Sequence, residues 1–133
     1  MNEEAMRAKI RNNSSRITDE RIALKRLQGD EERLIGARRT LDQWIEEVRS
    51  QSSLVWKPQI DPRWKGREAF YYQDDVRMRW QDNQQKLKYQ FEDAQGKIDS
   101  ALSRVRTDIA TKSKQISLLS AEIDSLYWSL RMV

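Results

Sequence analysis

Pro58-Gln59-Ile60-Asp61-Pro62-Arg63-Trp64-Lys65-Gly66 decides how this chain is read, because both of its prolines fall there. Apolar residues recur at helical spacing on either side of it. Proline lacks the backbone N–H and clashes with the preceding helical turn, so the stretch separates two helices. The reading is all-α: a long antiparallel helical hairpin, coiled-coil-like, in a single domain over residues 1–133. Helix one is expected over about 3–54, the turn over about 55–61 and helix two over about 62–132. Asp61 is suited to cap the free amides of the second helix and Pro62 to occupy its first position. Trp64 and Gly66 then belong to its first turns, with the indole closing the hairpin end and Gly66 permitting close approach.

Working outward toward the N-terminus, Asn12-Asn13-Ser14-Ser15 is a cluster of poor helix formers that suits a frayed end, a kink or a cap, with Ser15 or Thr18 as caps of a restarted helix. Beyond it Ile17, Leu24, Leu27, Leu34, Leu41 and Val48 recur at intervals of three and seven, widened by Ala37, Trp44 and Ile45, which add steps of four. Such a stripe lies along one side of a helix and needs a partner to cover it. Gly29 and Gly36 each weaken this helix by ~1 kcal/mol relative to alanine. Ser50-Gln51-Ser52-Ser53 ends it.

Toward the C-terminus the periodicity is cleaner. Ala69, Val76, Trp80, Leu87, Phe91, Ala94, Ile98, Ala101, Val105, Ile109, Ile116, Leu119, Ile123, Leu126, Leu130 and Val133 follow one another mostly in steps of three and four. Lys112 is polar in that register, marking the seam's edge or a register device. Unbroken, helix two would exceed ~100 Å, against about 60 Å for residues 16–54. The seam from Leu87 and Phe91 through Ile98, Val105, Ile109, Ile116, Leu119, Ile123 and Leu126 to Leu130 is therefore the candidate partner-binding surface.

Composition narrows the function. The chain has 35% charged residues, four glycines and neither cysteine nor histidine, and its mean hydropathy is −0.92. That is the composition of long helices with a thin apolar seam. The absence of Cys and His removes disulfides, thiolate and imidazole metal sites, and catalysis built on either residue. No metal or cofactor is expected. Asp74-Asp75 and Glu92-Asp93 are adjacent carboxylates, but sequence neighbours point to different sides of a helix, and no enzyme activity is expected from them. The net charge of +4 comes from 25 basic and 21 acidic residues without a block of like charge. A solvated, ion-paired surface is expected, rather than one that binds nucleic acid. Arg77, Arg79, Lys86 and Lys88 are diluted by Asp74, Asp75 and Asp82, and Trp80 falls on the apolar register. No apolar run reaches the ~18 residues of a membrane span and the start of the chain has no signal-peptide pattern, so a soluble cytoplasmic protein is expected.

Five tryptophans are many for so polar a chain. Trp44, Trp80 and Trp128 sit in or beside the seams, and a large apolar ring with one N–H suits core closure and interface anchoring alike. Phe70-Tyr71-Tyr72 cannot all face one helix, so at least one of them is exposed or reaches a second chain.

Trp64-Lys65-Gly66 at the joint, followed by Ala69-Phe70, resembles the WXG (ESAT-like) superfamily of type VII secretion. It looks most like the YwqH-like branch and the Lap small helical partners of LXG polymorphic toxins. The resemblance implies a targeting factor or adaptor of the bacterial cytoplasm that binds the helical N-terminal domain of an LXG-type toxin, with a second small helical protein or export alongside the cargo also in keeping. It assigns the turn motif to Trp64, Gly66, Ala69 and Phe70. It also offers aromatic–acidic export-motif candidates at Tyr71 with Asp75, Phe70 with Asp74, and Tyr89 with Asp93, although none lies in a C-terminal tail. The alternative is a cytoplasmic coiled-coil adaptor or scaffold unrelated to secretion. On either reading a homo-oligomer of the isolated chain is compatible with the apolar seams.

Overall fold

The computed structural model describes residues 2–52 and 66–132, and their architecture is an all-α helical hairpin of two elements. Helix α1 spans Glu3–Ser52 and helix α2 spans Arg67–Arg131. The expected turn, the last residues expected of helix one (53 and 54) and the expected cap at Asp61-Pro62 lie outside the described residues, as do Trp56 and Trp64.

Local chemistry accounts for the helix ends. Asn2 caps α1: its side-chain oxygen accepts from the Ala5 amide at 2.7 Å, and its carbonyl accepts from the Met6 amide at 3.0 Å. Glu3 and Glu4 follow in the first turn and Arg49 lies in the last, each charge complementing the helix dipole. At the start of α2, Gly66 has φ +94°, and its carbonyl accepts from the Phe70 amide at 3.1 Å. Gly66 is therefore the residue before the helix and not part of its first turns as expected. A Cβ placed on it would meet nothing within 4 Å, so its glycine is explained by backbone conformation and not by close packing.

Asn12-Asn13-Ser14-Ser15 neither frays nor kinks the chain, for α1 runs through it without interruption. Thr18 caps no restart; its hydroxyl donates to the Ser14 carbonyl at 3.1 Å. The physical reason is tertiary. Asn13 is buried in the helix–helix seam, and packing on either side of it outweighs a few tenths of a kcal/mol of unfavourable propensity.

The chain divides into two compact units, one of Met1–Ile35 with Ser100–Val133 and one of Gly36–Asp99. In the first, Met6, Ile10 and Ile17 of α1 and Leu102 and Leu119 of α2 are buried. Ion pairs order the two helices antiparallel: Lys9 with Glu122 at 2.7 Å, Glu20 with Lys112 at 2.8 Å and Glu31 with Arg106 at 3.2 Å. In the second unit the same sense of pairing appears, with Arg38 bound to Asp99 at 3.0 Å and Gln95 donating to Asp42 at 3.2 Å. Arg38 also holds Asp42 on its own helix, so one guanidinium joins carboxylates of both helices. Among the described residues no large side chain is fully buried. Within each unit the two helices cover one side of each other, which leaves a thin seam among the described residues.

Candidate protein-binding surfaces

Each unit leaves apolar surface uncovered. In the unit of Gly36–Asp99, Leu41, Ile45 and Val48 of α1 and Trp80, Leu87 and Phe91 of α2 continue the seam at steps of three, four and seven. Only Leu41 of these is buried; the other five are half-buried. The five half-buried residues bound a groove of about 450 Å³, rimmed by Arg49, Lys88, Glu92 and four glutamines, Gln81, Gln84, Gln85 and Gln95. An apolar floor between polar walls is the form that receives an amphipathic helix.

In the other unit α2 carries a second stripe beside the seam. Leu118, Ala121, Ser125, Trp128 and Met132 are spaced three, four, three and four, and all five are exposed. Leu118 is 61% exposed, Trp128 63% and Met132 73%, while the adjacent Leu119 is 7% exposed. The stripe begins one residue before Leu119, a rotation of about 100° on a helix, and so emerges on another face. The sequence reading placed Trp128 in or beside the seam and did not pick out Leu118 or Met132. The Leu118-Leu119 doublet, which starts two interleaved three-four repeats, was the signal available for it.

The expected seam residues of α2 are found along the hairpin's own contact face. Leu119 is buried, and Leu87, Phe91, Ile98, Val105, Ile109, Ile116, Ile123, Leu126 and Leu130 are half-buried. Much of what the spacing offers to a partner is thus already used within the chain. Of the tryptophans, Trp44 and Trp128 are exposed and Trp80 is half-buried, so neither Trp44 nor Trp128 closes a core.

At the start of α2, Ala69 is buried and Phe70, Tyr71 and Tyr72 are all exposed. Phe70 and Tyr71 meet edge to face, with ring centroids 6.0 Å apart. The acidic members of the export-motif candidates are engaged on the helix surface: Asp74 with Arg77 at 2.6 Å, Asp75 with Arg79 at 3.1 Å and Asp93 with Lys97 at 3.0 Å. Tyr89 is exposed. The same pairs occupy the two arginines that a nucleic-acid reading would need. Local exposed pairs of this kind each contribute about 0.3–0.5 kcal/mol.

Comparison with known proteins finds no family model, curated protein or solved structure that matches the chain. Among the described residues no cluster of three or more Asp or Glu side chains is placed to hold a metal ion, and no helix is long and apolar enough to cross a membrane.

One titrating group is perturbed. Glu122 lies below its ordinary carboxylate range, chiefly through its hydrogen bond with Lys9; partial desolvation opposes the shift, and the Lys9 charge, Asn13 and Arg16 add to it. The Asn13 side-chain nitrogen makes no hydrogen bond of good geometry, so its effect on Glu122 is that of a nearby dipole. This cluster borders the seam between the helices, with Asn13 buried in it and Lys9 and Glu122 at its edge.

Proposed function

We propose that this protein is a helical adaptor that pairs with helices of another protein, and that its partner is the helical N-terminal domain of an LXG-type toxin bound for type VII secretion. The observation that carries the first part is the apolar surface remaining once the hairpin has formed, above all the exposed Leu118, Trp128 and Met132 stripe. A two-helix protein with such a stripe gains by covering it with a further helix. What supports the second part is the resemblance of Trp64-Lys65-Gly66 and Ala69-Phe70 to the WXG pattern. Exposed Phe70 and Tyr71 just past Gly66 suit a surface read by another protein.

The test is co-purification with the N-terminal helices encoded by a neighbouring toxin gene, together with export of that toxin when this gene is deleted. Binding and lost export are expected. A monomer that ignores those helices, with export unaffected, overturns the reading in favour of a coiled-coil scaffold unrelated to secretion. Trp64→Ala tests the motif's part in export more cleanly than Gly66→Ala, because Gly66 has a positive φ that alanine resists and its loss would also disturb the fold.

A further inference from the structure

The apolar residues of the first unit repeat every seven positions: Ile10, Ile17 and Leu24 on α1, and Leu102, Ile109, Ile116 and Ile123 on α2. A seam of this kind is nearly indifferent to sliding one helix past the other by one heptad, since each Ile or Leu then meets another. Three polar side chains in the same seam are not indifferent.

Asn13 is 4% exposed, with buried Ile10 and Ile17 one turn to either side, and its side-chain nitrogen is unpartnered. Glu20 lies one heptad further along α1 and places Oε2 2.8 Å from Lys112 Nζ. That oxygen is buried and makes no aligned hydrogen bond, so the contact is an ion pair held by position. Lys112 stands seven residues from both Val105 and Leu119. A slide of one heptad in either direction would set the Glu20 carboxylate against Val105 or Leu119, and Lys112 against Leu27 or Asn13. Both ions would lose their partner in a half-buried place, where an unpaired charge is costly and a paired one is tolerated.

We infer that Asn13 and the Glu20–Lys112 pair are register pins, which select one of several heptad-related pairings of the same apolar seams and do so at a cost in stability. The inference concerns the hairpin alone and stands apart from the identity of its partner. The pins decide which turn of α1 flanks the exposed stripe of α2, and hence the single surface shown to another molecule. A buried polar residue that sets register while lowering stability is a well-attested device in coiled coils.

The experiment replaces all three side chains, Asn13→Leu, Glu20→Leu and Lys112→Leu, in the full chain. Since the protein has no cysteine, Arg11→Cys and Ser103→Cys add two unique sites for nitroxide labels. Both positions are exposed, and they lie at different levels of the unit. Electron–electron distance measurements, on samples diluted with unlabelled protein, read the pairing. The parent is expected to give one distance. The leucine variant is expected to unfold at a higher temperature and to show at least one further population, displaced by about 10 Å along the axis, the rise of seven helical residues. The exchange Glu20→Lys with Lys112→Glu, which restores the pair reversed, is expected to keep one population. A leucine variant with the parent's single distance overturns the inference. So does one that is less heat-stable or unfolded, because pins of this kind lower stability relative to leucine.

Discussion

Lys9 Nζ lies 2.7 Å from Glu122 Oε1, tying the start of α1 to the C-terminal part of α2. The contact holds the Glu122 pKa below its ordinary value, and the sign of its contribution follows. A depressed folded-state pKa favours the folded state fully above the unfolded value, and that contribution is lost as pH falls through the folded value. Thermal melts from pH 7 down to pH 3 should therefore show the parent losing more stability with acid than Glu122→Gln. Equal acid sensitivity in the two proteins would remove this pair from the account.

Gly36 and Gly96 sit inside helices, and a Cβ on either would meet nothing within 4 Å. Neither has a positive φ. Gly36→Ala and Gly96→Ala are each expected to stabilise the protein by about 0.5–1 kcal/mol, as alanine does where the backbone is already helical. Urea unfolding of each variant would check this, and a loss of stability would show that the glycine serves a contact.

Gly66 behaves in the opposite way. At φ +94° an L side chain is strained, so Gly66→Ala should destabilise by about 1–2 kcal/mol although no neighbour crowds it. Gly66→Asn should cost less, because asparagine tolerates left-handed backbone better. Parent-like stability for the alanine variant in chemical denaturation would contradict the assignment.

Leu118 and Leu119 are adjacent and should respond differently. Leu119→Ala removes a buried side chain and is expected to cost about 2–3 kcal/mol. Leu118→Ala removes an exposed one and should change stability by less than about 0.5 kcal/mol. On the proposed function it should nevertheless weaken partner binding, as should Trp128→Ala. Paired melts and binding isotherms distinguish the two kinds of loss, and unchanged binding in both Leu118→Ala and Trp128→Ala would place the partner elsewhere.

The fold was legible in the sequence because its signals are local. Two prolines in one stretch and the three-four spacing of Ile17 through Val48, and of Leu87 through Leu130, give two helices with apolar stripes whatever surrounds them. The cap at Asn2 is an equally local signal, an Asn directly before Glu3-Glu4. Asn12-Asn13-Ser14-Ser15 reads as a break only because propensity disfavours asparagine in a helix wherever it stands, whereas burial in a seam depends on a second helix far away in sequence.

The sequence by itself determined the helices, the antiparallel arrangement implied by one break, and the lack of Cys and His chemistry. Only the tertiary structure decided which residues of each stripe are covered: Asn13 and Leu119 are, while Trp44, Leu118 and Trp128 are not. It likewise decided that Lys112 is paired with Glu20 and that Gly66 precedes α2. The physical reason is that helical periodicity names a face, whereas the register between two helices depends on contacts between residues far apart in the chain, as Lys9 and Glu122 are. A heptad repeat alone leaves that choice among several pairings, and the few polar residues inside the seam resolve it.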